Sequence, residues 1–243
     1  MSYYKTNAIY EKIIQNHLNR FHFVSQNAWI LVYANHLSEP KIIVLAHNKK
    51  WQADEKILEL TNRIAQEAKL PLIRVCFDSE ASSIDSMLVA MNNLPEKTLN
   101  LNEMKELYSS YGLNIKNNIA NKAVNSQTSS AYHDWQRSSL GSDIVVSDID
   151  LIKEKSKQLL VILELKRSYI GLDEWVPYRE DFANFRVLDN LCKLSGNKFF
   201  ILYNQRRTTP FFDDASRLTV FTFNNGDPLK IGQYNFKDLF IDS

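Results

Sequence analysis

The stretch "SDIDLIKEKSKQLLVILELKRS", residues 147–168, reads as two β-rich runs joined by a charged turn, yet its apolar runs enclose Asp148, Asp150, Glu164 and Lys166. Side chains alternate across a strand, so Glu164 and Lys166 share one face while Leu163 and Leu165 share the other. Asp148 and Asp150 obey the same rule on the preceding run, with Asp148 about 6.6 Å further along the strand. The turn "KEKSKQ" is short enough to make the two runs antiparallel neighbours, which sets Asp150 across from Glu164. Two facing carboxylates repel, and each loses hydration, unless a cation lies between them. A hard divalent ion with oxygen ligands and water, Mg²⁺ above all, meets that demand. Lys166 then supplies an ammonium that can orient a metal-bound water or stabilise charge developing on a phosphate.

Outward from this stretch, the chain reads as alternating helices and strands. Ile9, Ile13, Ile14 and Leu18 fall on one helical face, and "AWILVYA" (28–34) and "KIIVLAHN" (41–48) form a hairpin across "NHLSEP". Helical spacing follows in "DEKILELTNRIAQEAK", then a strand in "LPLIRVCFD", a strand or helix start at 85–92, and a helix capped by Asn100 or Asn102. Residues 116–130, rich in Asn and Ser, read as a linker between an N-terminal α/β domain (1–115) and a C-terminal domain (131–243). A short helix "AYHDWQRS" precedes the quoted stretch. A helix closed by Gly196, the strand "KFFILYN", an exposed loop "NQRRTTPFF" and a final strand "RLTVFTF" come after it. The two halves run through the same order of elements. Superposing their hairpins sets Ala46 on Glu164 and Asn48 on Lys166, as a duplication with an acid-free first copy requires. The fold expected is α/β, a mixed central sheet flanked by helices.

Composition narrows the function classes. With 243 residues, 44% hydrophobic and 23% charged, the chain has the make-up of a globular protein with a sizeable core. No apolar run approaches the roughly 18 residues of a membrane span, and the N-terminus lacks the form of a signal peptide, so no membrane partner and a cytoplasmic setting are expected. Cys76 and Cys192 sit in apolar surroundings, as reduced buried thiols do. A net charge of +1 gives no whole-chain attraction for a polyanion. Six glycines leave no phosphate-binding loop, and neither G-x-S-x-G nor H-E-x-x-H occurs.

An Asp, an apolar strand, a short turn and Glu-x-Lys inside a second apolar strand, followed by a helix and a further strand, resembles the PD-(D/E)XK, or restriction-endonuclease-like, nuclease superfamily. The resemblance covers roughly residues 131–223 and rests on Asp150, Glu164, Leu165 and Lys166, with Ile149 where many members carry proline. It implies a Mg²⁺-dependent endonuclease, with Mn²⁺ as a substitute, that hydrolyses double-stranded DNA in restriction or defence and acts as a homodimer. Asp150 and Glu164 would be metal ligands together with the Leu165 carbonyl, and Lys166 would stand beside the attacking water. The N-terminal half would serve recognition or dimerisation. Asp148, His133, Tyr178 and Asn184 are candidate accessory residues, although a strand entrance, a satisfied surface histidine and a solvated helix face account for them equally simply. Arg206 and Arg207 are candidate phosphate contacts. An inactive nuclease-fold binding module and an RNA-cleaving enzyme are the alternatives.

Overall fold

A computed structural model describes residues 7–24, 27–78, 84–91, 95–116, 130–209, 211–224 and 226–242. The first half contributes α1 (Ala8–Gln15), β1 (Phe21–His22), β2 (Ala28–Ala34), β3 (Pro40–Asn48), α2 (Glu55–Ala68), β4 (Leu72–Phe77), β5 (Ser86–Met91), β6 (Lys97–Asn100) and α3 (Leu101–Ser110). The second contributes α4 (Ala131–Ser139), β7 (Val145–Asp148), β8 (Leu151–Glu154), β9 (Leu160–Ser168), α5 (Phe182–Ser195), β10 (Lys198–Thr208), β11 (Phe211–Asn224), β12 (Asp227–Asn235) and α6 (Phe236–Phe240). Helix starts follow local capping chemistry. Asp54 accepts from the N–H groups of Lys56 and Ile57 to open α2, and Asn100 with Glu103 forms a reciprocal capping box on α3.

The strands build two mixed six-stranded sheets, β1-β8-β9-β10-β11-β12 and β6-β5-β4-β3-β2-β7, flanked by helices in an α/β fold. In each, an antiparallel hairpin (β2–β3, β8–β9) leads through a helix to a strand parallel to the hairpin's second arm (β4, β10). Two antiparallel strands then finish the sheet. Ile57, Leu60 and Ile64 of α2 and Phe185, Leu188 and Leu191 of α5 share a central core with one face of each sheet. α3 and α4 cover the outer face of the first-half sheet, and α1 and α6 that of the second.

The leading helix and strand of each half are exchanged. β1 pairs with β8, and β7 pairs with β2. The exchanged α4 is fixed on the other half's sheet by a buried relay in which the Tyr132 hydroxyl lies 2.8 Å from that of Tyr33 and 2.6 Å from that of Tyr108. The central helices exchange contacts as well: Asn190 of α5 donates to the Ser38 carbonyl at 2.9 Å, and Lys56 of α2 pairs with Glu154 of β8 at 3.1 Å. This reciprocity is the geometry of two subunits joined into one chain.

The repeated order read from the sequence is therefore present, but the expected superposition is out by one residue. α2 and α5 both end on a left-handed residue, Lys69 (φ 54°) and Gly196 (φ 69°). Three residues after those caps, Leu72 pairs with Ile43 and Phe199 with Ile162. Leu45 thus occupies the position of Glu164, and His47 that of Lys166. Ala46 faces the outer core instead, because a shift of one residue turns a strand's side chains to the other face. On the hairpins Leu31 pairs with Val44 and Leu151 with Leu163, so Ile30 matches Asp150.

Three further readings are corrected. Residues 147–154 are not one strand: Ile149 still donates to the Ile30 carbonyl (2.9 Å) in one sheet, and the chain crosses to the other sheet at Asp150. Asp148 and Asp150 accordingly lie on different strands. Residues 86–91 form a strand, one of the two alternatives open for 85–92. β10 runs through Arg206 and Arg207, which are paired with Asp213 and Phe212 in a strand ladder and are not on an exposed loop. β12 and α6 follow the strand expected to be last. The expected linker, Lys116 and Ser130 apart, lies outside the described residues. No helix among the described residues is long and apolar enough to cross a membrane.

Candidate active site

β9 lies between β8 and β10, and its C-terminal half outruns β8, whose ladder on β9 ends at the Leu151–Leu163 pair. Beyond that pair the β9 backbone has a side-chain partner: the Leu165 N–H donates to Asp150 Oδ2 at 2.8 Å. Asp150 is in turn held from the first half, since the Tyr10 hydroxyl of α1 donates to its carbonyl at 2.9 Å. The N–H and C=O of one strand residue point to the same side, so the Leu165 carbonyl is directed toward Asp150 too.

Glu164 projects to the opposite face of β9 from Leu163 and Leu165 and is only 4% exposed. Its Oε1 accepts from Lys166 Nζ at 2.9 Å, while its Oε2 is buried with no hydrogen-bond partner. Lys166 also reaches Asp181 Oδ2 at 3.7 Å, from the residue preceding α5, and lies 5.4 Å over the Phe185 ring. An unsatisfied buried carboxylate oxygen costs on the order of 1–3 kcal/mol. It marks a place where a ligand would be welcome.

Burial, followed by the charges of Glu164 and Asp148, raises the Asp150 carboxyl well above its ordinary range, against the opposing pull of the Leu165 N–H and Lys166. Burial likewise pushes Glu164 up to about 7, with Lys166 opposing and Asp148 and Asp181 adding to the rise. Burial works to lower Lys166, but the carboxylates of Glu164 and Asp181 outweigh it, and the amine is held above its usual range. The ammonium form, a donor of charge and hydrogen bonds, is thereby favoured.

Among the described residues, no three His, Cys, Asp or Glu side chains gather as a metal-ligating group. Mg²⁺ needs no such cluster, since one or two carboxylates with waters commonly hold it. Asp150, the orphaned Glu164 Oε2 and the Leu165 carbonyl would supply an all-oxygen donor set of the kind a hard divalent cation takes.

The other residues singled out from the sequence divide. Asp148 ends β7, and its field reaches Asp150, Glu164 and His133. His133 Nδ1 lies 2.8 Å from the Ser130 hydroxyl, its ring stands edge-on to Trp29, and burial lowers its pKa to about 4, so it is neutral. Asn184 donates to the Val146 carbonyl at 3.0 Å and ties α5 to β7. Tyr178 is exposed beside Trp175. Arg206 pairs with Asp213 at 2.8 Å, as does Arg167 at 2.6 Å, whereas Arg207 is exposed. Asp181, which recurs with Tyr178 and Asn184 every three residues and could have been simply a solvated helix face, does reach the site at Lys166. Tyr10 was not apparent from the sequence, since it comes from the far end of the chain with no local signal.

No family model and no curated protein matches the chain. Among solved structures, a sex pheromone precursor from Lactobacillus salivarius aligns over 82% of this chain and 63% of its own length, at 12% identity and a TM-score of 0.15. The chain thus spans less than two thirds of that protein, and the likeness is too slight to bear on fold or function.

Proposed function

We propose that the protein is a Mg²⁺-dependent endonuclease of the PD-(D/E)XK type that hydrolyses phosphodiester bonds in DNA. The observation that carries the reading is the buried, unpartnered Glu164 Oε2 on the part of β9 that outruns β8, where Asp150 caps the next residue's N–H. The duplicated fold adds support. At the matching positions of the first half the same architecture holds Ile30 and Leu45, at 1% and 0% exposure, so the topology itself does not require acids there. The hairpin, helix and parallel strand of the second half follow the order that the resemblance implies.

In this reading Asp150 and Glu164 hold the cation, with the Leu165 carbonyl completing the protein donors. Bound Mg²⁺ would supply Lewis acidity and a water of lowered pKa. Lys166, positioned by Glu164, Asp181 and Phe185, presents its ammonium to the charge that builds on the phosphate. The Leu165 N–H orients Asp150, and Tyr10 fixes the backbone that carries it. Double-stranded DNA as substrate, a role in restriction or defence, a cytoplasmic setting and assembly as a homodimer belong to the same proposal and rest on the resemblance.

A second reading, a structural ion pair within a non-catalytic binding module, is favoured by the 2.9 Å contact between Lys166 and Glu164. Plasmid incubation with and without Mg²⁺ separates the two. The hydrolase reading expects scission that requires Mg²⁺ and is lost in folded Asp150→Asn, Glu164→Gln and Lys166→Ala proteins. Variants as active as the parent would overturn it.

A further inference from the structure

From the asymmetry between the two halves, and resting on the hydrolase reading, we infer that the chain is a fused pair of nuclease-like units with a single active site, and that one chain cuts one strand of a duplex. Each half contributes three helices and six strands in the same order, and the leading helix and strand are exchanged reciprocally. A true dimer with this exchange would carry two equivalent sites, each able to address one of the two antiparallel strands of DNA. Here the helix C-caps, the strand registers and the sheet faces together give the occupants of the second position. Ile30 replaces Asp150, Leu45 replaces Glu164 and His47 replaces Lys166.

Those replacements cannot bind a hard cation. Ile30 and Leu45 are packed into the central core with α2 and α5, and neither offers an oxygen donor. His47 is turned to local partners: its Nδ1 lies 3.1 Å from the Asn48 carbonyl and its ring packs against Trp51. The first half still contributes to the working site by way of Tyr10, the α1 residue that donates to the Asp150 carbonyl. The inert unit is therefore part of the scaffold of the active one, and its apolar filling keeps the fold while removing a second cut.

The test is the product pattern from supercoiled plasmid with Mg²⁺, followed from the earliest times over a range of protein concentrations, together with Mn²⁺ titration of the full chain without DNA. Expected are open circles as the early product, formed at a rate first order in protein. Linear DNA should arise only from later nicks or, if it appears early, with a second-order dependence that shows two chains are needed. Mn²⁺ binding should disappear in Glu164→Gln and persist unchanged in His47→Ala. Linear DNA formed from the outset at first order in protein would overturn the inference while leaving the hydrolase reading intact. So would Mn²⁺ binding that survives Glu164→Gln and is lost in His47→Ala. Absence of both scission and Mn²⁺ binding in folded protein would sink the hydrolase reading, and the single-site inference with it.

Discussion

Replacing Glu164 by glutamine should make the metal-free protein more stable at pH 8, the reverse of what a structural ion pair would give. Glu164 is 4% exposed, and burial pushes its carboxyl from 4.5 to about 7. A folded-state pKa above the unfolded value means that the native state holds the proton longer, so stability is greatest below the unfolded value and is lost as pH rises toward the folded one. That rise in pKa corresponds to about 3 kcal/mol withheld from folding once the group is ionised in both states. Glutamine keeps the shape and removes the charge. Lys166 loses one counter-ion but keeps Asp181 at 3.7 Å, so the expected net gain is about 1–3 kcal/mol. For a chain of this size that is a rise in Tm of about 2–12 °C. Thermal unfolding of parent and variant in chelator at pH 4 and pH 8 reads the effect directly. The two should melt together at pH 4, where the glutamate is protonated, and diverge at pH 8. Mn²⁺ should raise the Tm of the parent alone. A variant less stable than the parent at pH 8 without metal would refute the reasoning and favour the ion pair.

Lys166→Met should destabilise the fold by about 3 kcal/mol at pH 8, since it strands a buried carboxylate, and should abolish Mg²⁺-dependent scission; denaturant unfolding and the plasmid assay check the two effects. The adjacent arginines should separate by readout. Arg206→Ala should lower stability, because Arg206 shares Asp213 with Arg167, without changing the salt dependence of DNA binding. Arg207→Ala should weaken DNA binding and reduce the salt slope by about 1, with stability unchanged.

The strands at 28–34, 40–48, 72–77 and 160–168 were legible because each is a compact apolar run bounded by polar or turn residues. The acids stood out for the complementary reason, as charges inside such a run. Harder to see was the crossing at Ile149–Asp150, since "SDIDLIKE" alternates as a single strand would and the break depends on pairing with β2, more than a hundred residues earlier. The exchange of β1 and β7 is likewise long-range and leaves no local trace. β12 escaped because "DPLKIGQYN" carries a proline and a glycine and is mostly exposed, as suits an edge strand more than a core one. The superposition of Ala46 on Glu164 failed by one residue for want of the helix C-caps that set the register. The three-residue spacing of Tyr178, Asp181 and Asn184 pointed to Asp181 without choosing it over a solvated helix face, whereas Tyr10 enters the site through folding alone.

Diffraction from Mn²⁺-soaked crystals, measured at the manganese edge, addresses the core of the account. An anomalous peak within bonding distance of Glu164 Oε2 and the Asp150 carboxylate is expected, with Lys166 still beside it. A difference map with no manganese at those oxygens and the Lys166–Glu164 pair intact would contradict it.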